Sequence, residues 1–212
     1  MIKSRQLTVG VICWLIALPV TAISAECFER SPTTSRGTPL TAGITIRNIT
    51  DDEYQTLTRL IKGMTGFWNG TATEISCEGT ATAPREERHE YKVHVYATTK
   101  YMPVEDTLAL KFRANWDGVT RNTSKLENFR FLLTRERLRL DRNTPAGDVE
   151  TVKITNNFLV INKKNNVRNP AGGIVVQEIV RSYQLTYNTL NIEYNFYSNG
   201  LLVSKSTWEL GR

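Results

Sequence analysis

The feature that most constrains this chain is the order of its patterns. One helical pattern comes first, and from residue 66 onward strand-like segments follow one another with only short turns between them. Leu108, Leu110, Phe112, Ala114 and Trp116 alternate with Thr107, Ala109, Lys111, Arg113 and Asn115. That is the period of two of a strand with one buried face. Asp117-Gly118 follows as a hairpin turn signal. Phe129, Phe131 and Leu133 repeat the alternation against Asn128 and Arg130, and Leu138 and Leu140 do so against Arg137, Arg139 and Asp141. The turn NTPAGD leads into a strand over 149–155, and Asn156-Asn157 separates this from FLVI. The longest strand is expected over 174–187, and Asn188-Thr189 and Asn199-Gly200 mark off two more, 190–198 and 201–210. About ten strands with short connections make antiparallel neighbours, and a meander of that length must close or form two layers to protect its edges. The expected fold is therefore all-β: an antiparallel up-and-down β-barrel of about ten strands preceded by one short α-helix, with a β-sandwich as the alternative.

The helix start is equally legible. Thr50 and Glu53 form a capping box, Asp51 and Asp52 suit the positive helix end, and Ile49 and Tyr54 are spaced as a hydrophobic staple. Tyr54, Leu57, Ile61 and Met64 share one face at helical spacing, with Leu60 beside it and Gly63 as the expected C-cap.

Ahead of the helix lies a leader. Lys3 and Arg5 precede an apolar run from Val9 to Val20, and Ile23-Ser24-Ala25 offers a cleavage site before Glu26. The run is shorter than the roughly 20 apolar residues a membrane span needs, so no transmembrane anchor is expected in the mature chain. The reading is a signal peptide over 1–25, an N-terminal arm over 26–49, and a helix-plus-barrel domain over 50–212. The protein is then exported, periplasmic if bacterial and otherwise secreted. Without Lys3 and Arg5 the net charge of +6 falls to +4, and eleven Lys or Arg against five Asp or Glu are concentrated between 121 and 168. A solvated basic face or an anionic or protein partner at the cell envelope accounts for that. Nucleic acid does not, since no dense basic run occurs. Cys13 lies in the leader, leaving Cys27 and Cys77, which in an exported chain pair with each other, the alternatives being free thiols or an intermolecular bridge.

Gly66-Phe67-Trp68, placed after the helix and before the meander, resembles the opening of the calycin superfamily, lipocalin-like and nitrobindin-like β-barrels. The stretch GFWNGTA and the C-terminal STWELGR add to that likeness. The resemblance implies a barrel with an internal pocket, in which Trp68 plugs the closed end and is covered by a cation near the last strand, Arg212 or Lys205. Nitrobindin-like barrels hold haem through a late histidine. Here His89 and His94 are both early, so the resemblance carries no cofactor across.

Catalysis finds no support in local motifs: no nucleophile elbow, dinucleotide fingerprint or metal-ligand spacing is present, so no catalytic residue, metal or cofactor is assigned. The aromatics point to a pocket instead. Trp68, Phe112, Trp116, Phe129, Phe131, Tyr183 and Tyr194 fall on apolar faces, and a barrel this wide often encloses a ligand. Gly70 and Ala72, in the Trp68 register, are small. Arg181 shares a face with Ile179, Tyr183, Leu185 and Tyr187, and an inward cation needs a carboxylate or an anionic ligand group. Those eight residues, Arg181 included, are the candidate ligand contacts. Outward placement across a bulge, or pairing with a buried Glu, are the other readings of Arg181. The expected function is an exported non-enzymatic protein holding a small hydrophobic or amphipathic molecule inside the barrel. The alternative is a cell-envelope protein docking a protein or anionic surface through its basic face.

Overall fold

The computed structural model describes residues 26–32, 47–119, 124–141 and 147–212. The leader, residues 33–46 of the arm and most of the NTPAGD turn lie outside the described residues.

Helix α1 spans Asp51–Gly63. The capping box forms as its residue types dictate: Glu53 N–H donates to Thr50 Oγ1 at 3.3 Å, and Thr50 N–H donates to Glu53 Oε2 at 2.9 Å. Leu57, Leu60, Ile61 and Met64 are fully buried, and the helix packs against β3 (Thr107–Gly118), β4 (Ser124–Leu133) and β7 (Glu150–Ile154), sealing one end of the sheet. Gly63 differs from expectation. It is the last helical residue, Met64 is the cap, and a Cβ on Gly63 would meet Leu185 Cδ2 at 2.6 Å. The glycine serves close packing rather than termination.

The remaining strands are β1 (Gly66–Thr80), β2 (Ala83–Met102), β5 (Leu138–Asp141), β6 (Gly147–Asp148), β8 (Phe158–Arg168), β9 (Ile174–Leu185), β10 (Thr189–Ser198) and β11 (Leu201–Gly211). They form one antiparallel sheet in the order β6-β5-β4-β3-β2-β1-β11-β10-β9-β8-β7. β6 and β7 are the two halves of a single strand bent at Val149, whose N–H donates to Leu138 O at 3.2 Å. The first half pairs with β5 and the second with β8, so the sheet nearly closes into a barrel of ten strands. One continuous sheet rules out the sandwich. The strand expected over 174–187 ends at Leu185, and Tyr187 is 87 % exposed, away from the apolar face it was expected to share.

Residues 26–32 of the arm run beside the start of β11. Phe28 N–H donates to Leu202 O, Leu202 N–H to Glu29 O, and Ser31 N–H to Gly200 O. The Cys27–Cys77 disulfide ties this strap to β1. No helix among the described residues is long and apolar enough to cross a membrane, a statement that does not extend to strands.

Candidate functional site

The interior is divided by what fills it. At the closed end Trp68 has no exposure, its Nε1–H donates to Met64 O at 2.9 Å, and the Arg212 guanidinium stands 4.5 Å from its ring centroid. Arg212 is anchored by donating to Tyr187 O and Thr65 O. Lys205, the other candidate, lies elsewhere and binds Glu26 at 2.8 Å. The space expected at Gly70 is filled too, since a Cβ there would run into the Glu209 carbonyl of β11. Above this plug comes an aromatic layer. Phe112 stacks on Phe129 at 4.4 Å, Phe131 meets Tyr183 at 5.2 Å, and Trp116 meets Trp208 edge-on at 4.7 Å. Such pairs prefer these offset and T-shaped geometries.

The register then places a charged pair in the middle of the barrel. Alternation along β9 turns Arg181 inward with Tyr183, and alternation along β4 turns Glu127 inward with Phe129 and Phe131. Arg181 is 3 % exposed, and its Nη2 donates to Glu127 Oε1 at 3.2 Å across the interior. Its Nη1 donates to Tyr183 Oη at 3.4 Å, and its plane sits between Phe129 and Tyr194, 4.8 and 4.5 Å from their centroids. Burial acts to lower the Arg181 pKa, but Tyr183 and Glu127 outweigh it and the net direction is upward. The guanidinium is charged, and the buried carboxylate required of an inward arginine is Glu127.

Next to this pair is a cavity of about 30 Å³ lined by Glu74, Trp116, Glu127, Phe129, Arg181, Ile192, Tyr194, Ser206 and Trp208. A water needs roughly 10–15 Å³ on this measure, so the space suits one or two waters or a small polar group. Of the eight candidate ligand contacts, Trp116, Phe129, Arg181 and Tyr194 border it. Trp68, Phe112, Phe131 and Tyr183 belong to the packed half instead. Glu74, Glu127, Ile192, Ser206 and Trp208 were not singled out as contacts. The inward parity of Glu127 among Phe129 and Phe131 was the one signal that marked it. Ser206 lies two residues from Trp208 on the inward face of β11, and its Oγ accepts the Trp208 Nε1–H at 2.8 Å.

Toward the open end, Glu74 on β1 and Lys125 on β4 form an ion pair at 2.8 Å, with side chains 30 % and 38 % exposed. The Lys125 Nζ also stands 4.0 Å from the Trp116 ring. The two histidines hold surface partners: His94 Nδ1 shares a 2.6 Å hydrogen bond with Asn69 Oδ1, and His89 Nε2 lies 3.1 Å from Glu87 Oε1. Among the described residues no group of three or more His, Cys, Asp or Glu side chains is placed to hold a metal ion. Much of the basic excess is paired locally, Arg130 with Asp141, Arg135 with Asp106, and both Arg137 and Arg139 with Asp148. In comparison with known proteins, the chain matches no family model and no curated protein.

Proposed function

We propose that this is an exported, non-enzymatic binding protein that holds a small amphipathic molecule in the open half of its barrel. The observation carrying this reading is the buried Arg181 guanidinium beside a cavity lined mainly by aromatic side chains, with Glu127 and Ser206 among them. Desolvating a charge is expensive, and a barrel serving only as a packed scaffold is at least as stable with apolar residues in place of a buried pair. The cavity accommodates the polar end of a ligand. The apolar remainder lies along Ile179 and Phe196, which face each other across β9 and β10, share the inward face with Arg181 and Tyr194, and are half-buried. The Cys27–Cys77 disulfide supports export, because such bonds persist in oxidising compartments. A calycin relationship belongs to the same proposal and is supported by the Arg212–Trp68 stack.

A second reading has its own observation. On the outer face of β1 to β4, Phe67 and Tyr96 stand opposite each other at 55 % and 57 % exposure, and Leu126 is 52 % exposed nearby. Lys111 and Arg113 rise from the same face, which supports docking to a protein or anionic envelope surface.

Native mass spectrometry of protein purified from its own compartment tests the first reading. The expected result is a co-purifying molecule released on unfolding. A bare chain from wild-type cells, together with no calorimetric response to ten-carbon amphiphiles, would overturn it and shift weight to the outer face.

A further inference from the structure

Three residues that border the cavity carry hydrogen-bond donors, two of which have no partner among the described residues. The Arg181 Nε and the Trp116 Nε1 are buried without a partner, on residues 3 % and 1 % exposed. The Ser206 Oγ accepts from Trp208, which leaves its own O–H to donate, and Ser206 is 6 % exposed. Unpaired buried donors are costly, and native interiors keep few of them. Here the three donor-bearing residues border one cavity of about 30 Å³.

The charges around the same cavity are already balanced. Arg181 is paired with Glu127 at 3.2 Å, and Glu74 is paired with Lys125 at 2.8 Å. An anionic headgroup would enter beside two carboxylates with no free cation among the cavity's described residues to meet it, and a cationic one would bring donors to a site already rich in them. Both would be desolvated without compensation. An uncharged acceptor meets the donors and leaves the balance intact.

We infer that the ligand's polar end is an uncharged carbonyl group, held by Trp116, Ser206 and Arg181, with its apolar chain directed toward Phe196 and the open end. This inference rests on the binding reading proposed above and names its ligand class. It replaces the acidic amphiphile that Arg181 suggested in the sequence, because Glu127 already satisfies the cation. A carbonyl oxygen offers two lone pairs, so it occupies two of the three donors, and the third is met by a water or by the second oxygen of an ester.

The test is isothermal titration calorimetry of the full mature protein with decan-2-one, decanoate and decane. The ketone is expected to bind at least about tenfold more tightly than either of the others, as a site built around hydrogen bonds rejects a ligand lacking the matching group. Trp116→Phe removes one donor while keeping most of the packing; Ser206→Ala removes another but strands the Trp208 Nε1–H, so it is combined with Trp208→Phe. Each is expected to weaken ketone binding about fivefold to tenfold and to narrow the preference for the ketone over decane, with urea midpoints confirming that both variants fold. Decanoate binding as tightly as the ketone, or ketone binding indifferent to both variants, overturns the carbonyl assignment while the binding barrel stands. If none of the three probes binds, the binding reading falls with it.

Discussion

Two tryptophans on inward-facing strand positions are treated in opposite ways. The indole N–H of Trp68 donates to Met64 O, and the cation over its ring is held by two backbone carbonyls. The indole N–H of Trp116 is equally buried and has no partner among the described residues, and the cation over its ring belongs to a part-exposed ion pair with Glu74. At the closed end the indole N–H and the guanidinium of the plug are both bonded to backbone carbonyls. Midway up the barrel, hydrogen-bonding capacity is left over. The difference separates a half whose indole is satisfied by the backbone from a half whose indole is not, and packed volume alone does not show it.

The largest expected effect breaks the upper half. Arg181→Met alone strands Glu127 in the interior and should cost about 3–5 kcal/mol in urea unfolding. Combining it with Glu127→Leu should restore most of that, since an apolar pair of similar size replaces both charges. A double variant as unstable as the single would show that Arg181 is held for stability by Tyr183 and the flanking rings, which would erase the contrast. At the closed end, Arg212→Ala should cost about 1 kcal/mol, the usual scale of a cation over an aromatic face, with ligand binding intact. Loss of binding in that variant would mean that the two halves are coupled.

The smallest effect concerns the helix that seals the closed end. Glu53 is held down to about 2 from 4.5, chiefly by its hydrogen bond with Arg47 and also by the Thr50 N–H, against an upward push from burial. A carboxylate depressed in the folded state adds stability that is complete above its ordinary pKa and fades as pH falls through the folded value. The contribution should therefore decline between about pH 4.5 and 2, and be under about 1 kcal/mol because the pair is largely exposed. Thermal melts followed by circular dichroism should show wild type and Glu53→Gln converging across that range. Curves that stay parallel would remove the ion pair from the account of the helix cap.

The strands and the helix were legible because their causes are local. Thr50 and Glu53 lie three residues apart, and the alternation of Leu108 through Trp116 is visible in the segment itself. Gly63 was misread for the opposite reason: the side chain that requires a glycine there, Leu185, is distant in sequence and arrives only when β9 folds against the helix. Arg181 was legible as an inward cation from its neighbours on β9, but its partner was not. Glu127 lies 54 residues away on a strand across the barrel. The same holds for Trp116, Ser206 and Trp208, which come from β3 and β11 and border one cavity only through closure.

By itself the sequence determined the helix, the number of strands, the antiparallel meander and the inward face of most of them, because period, turn chemistry and capping act over a few residues. Only the tertiary structure decided that the barrel is filled at one end and leaves a small cavity near Arg181, and that the arginine's counter-charge is internal. Those outcomes depend on which side chains meet across the interior, and that is set by the register of strands far apart in the chain.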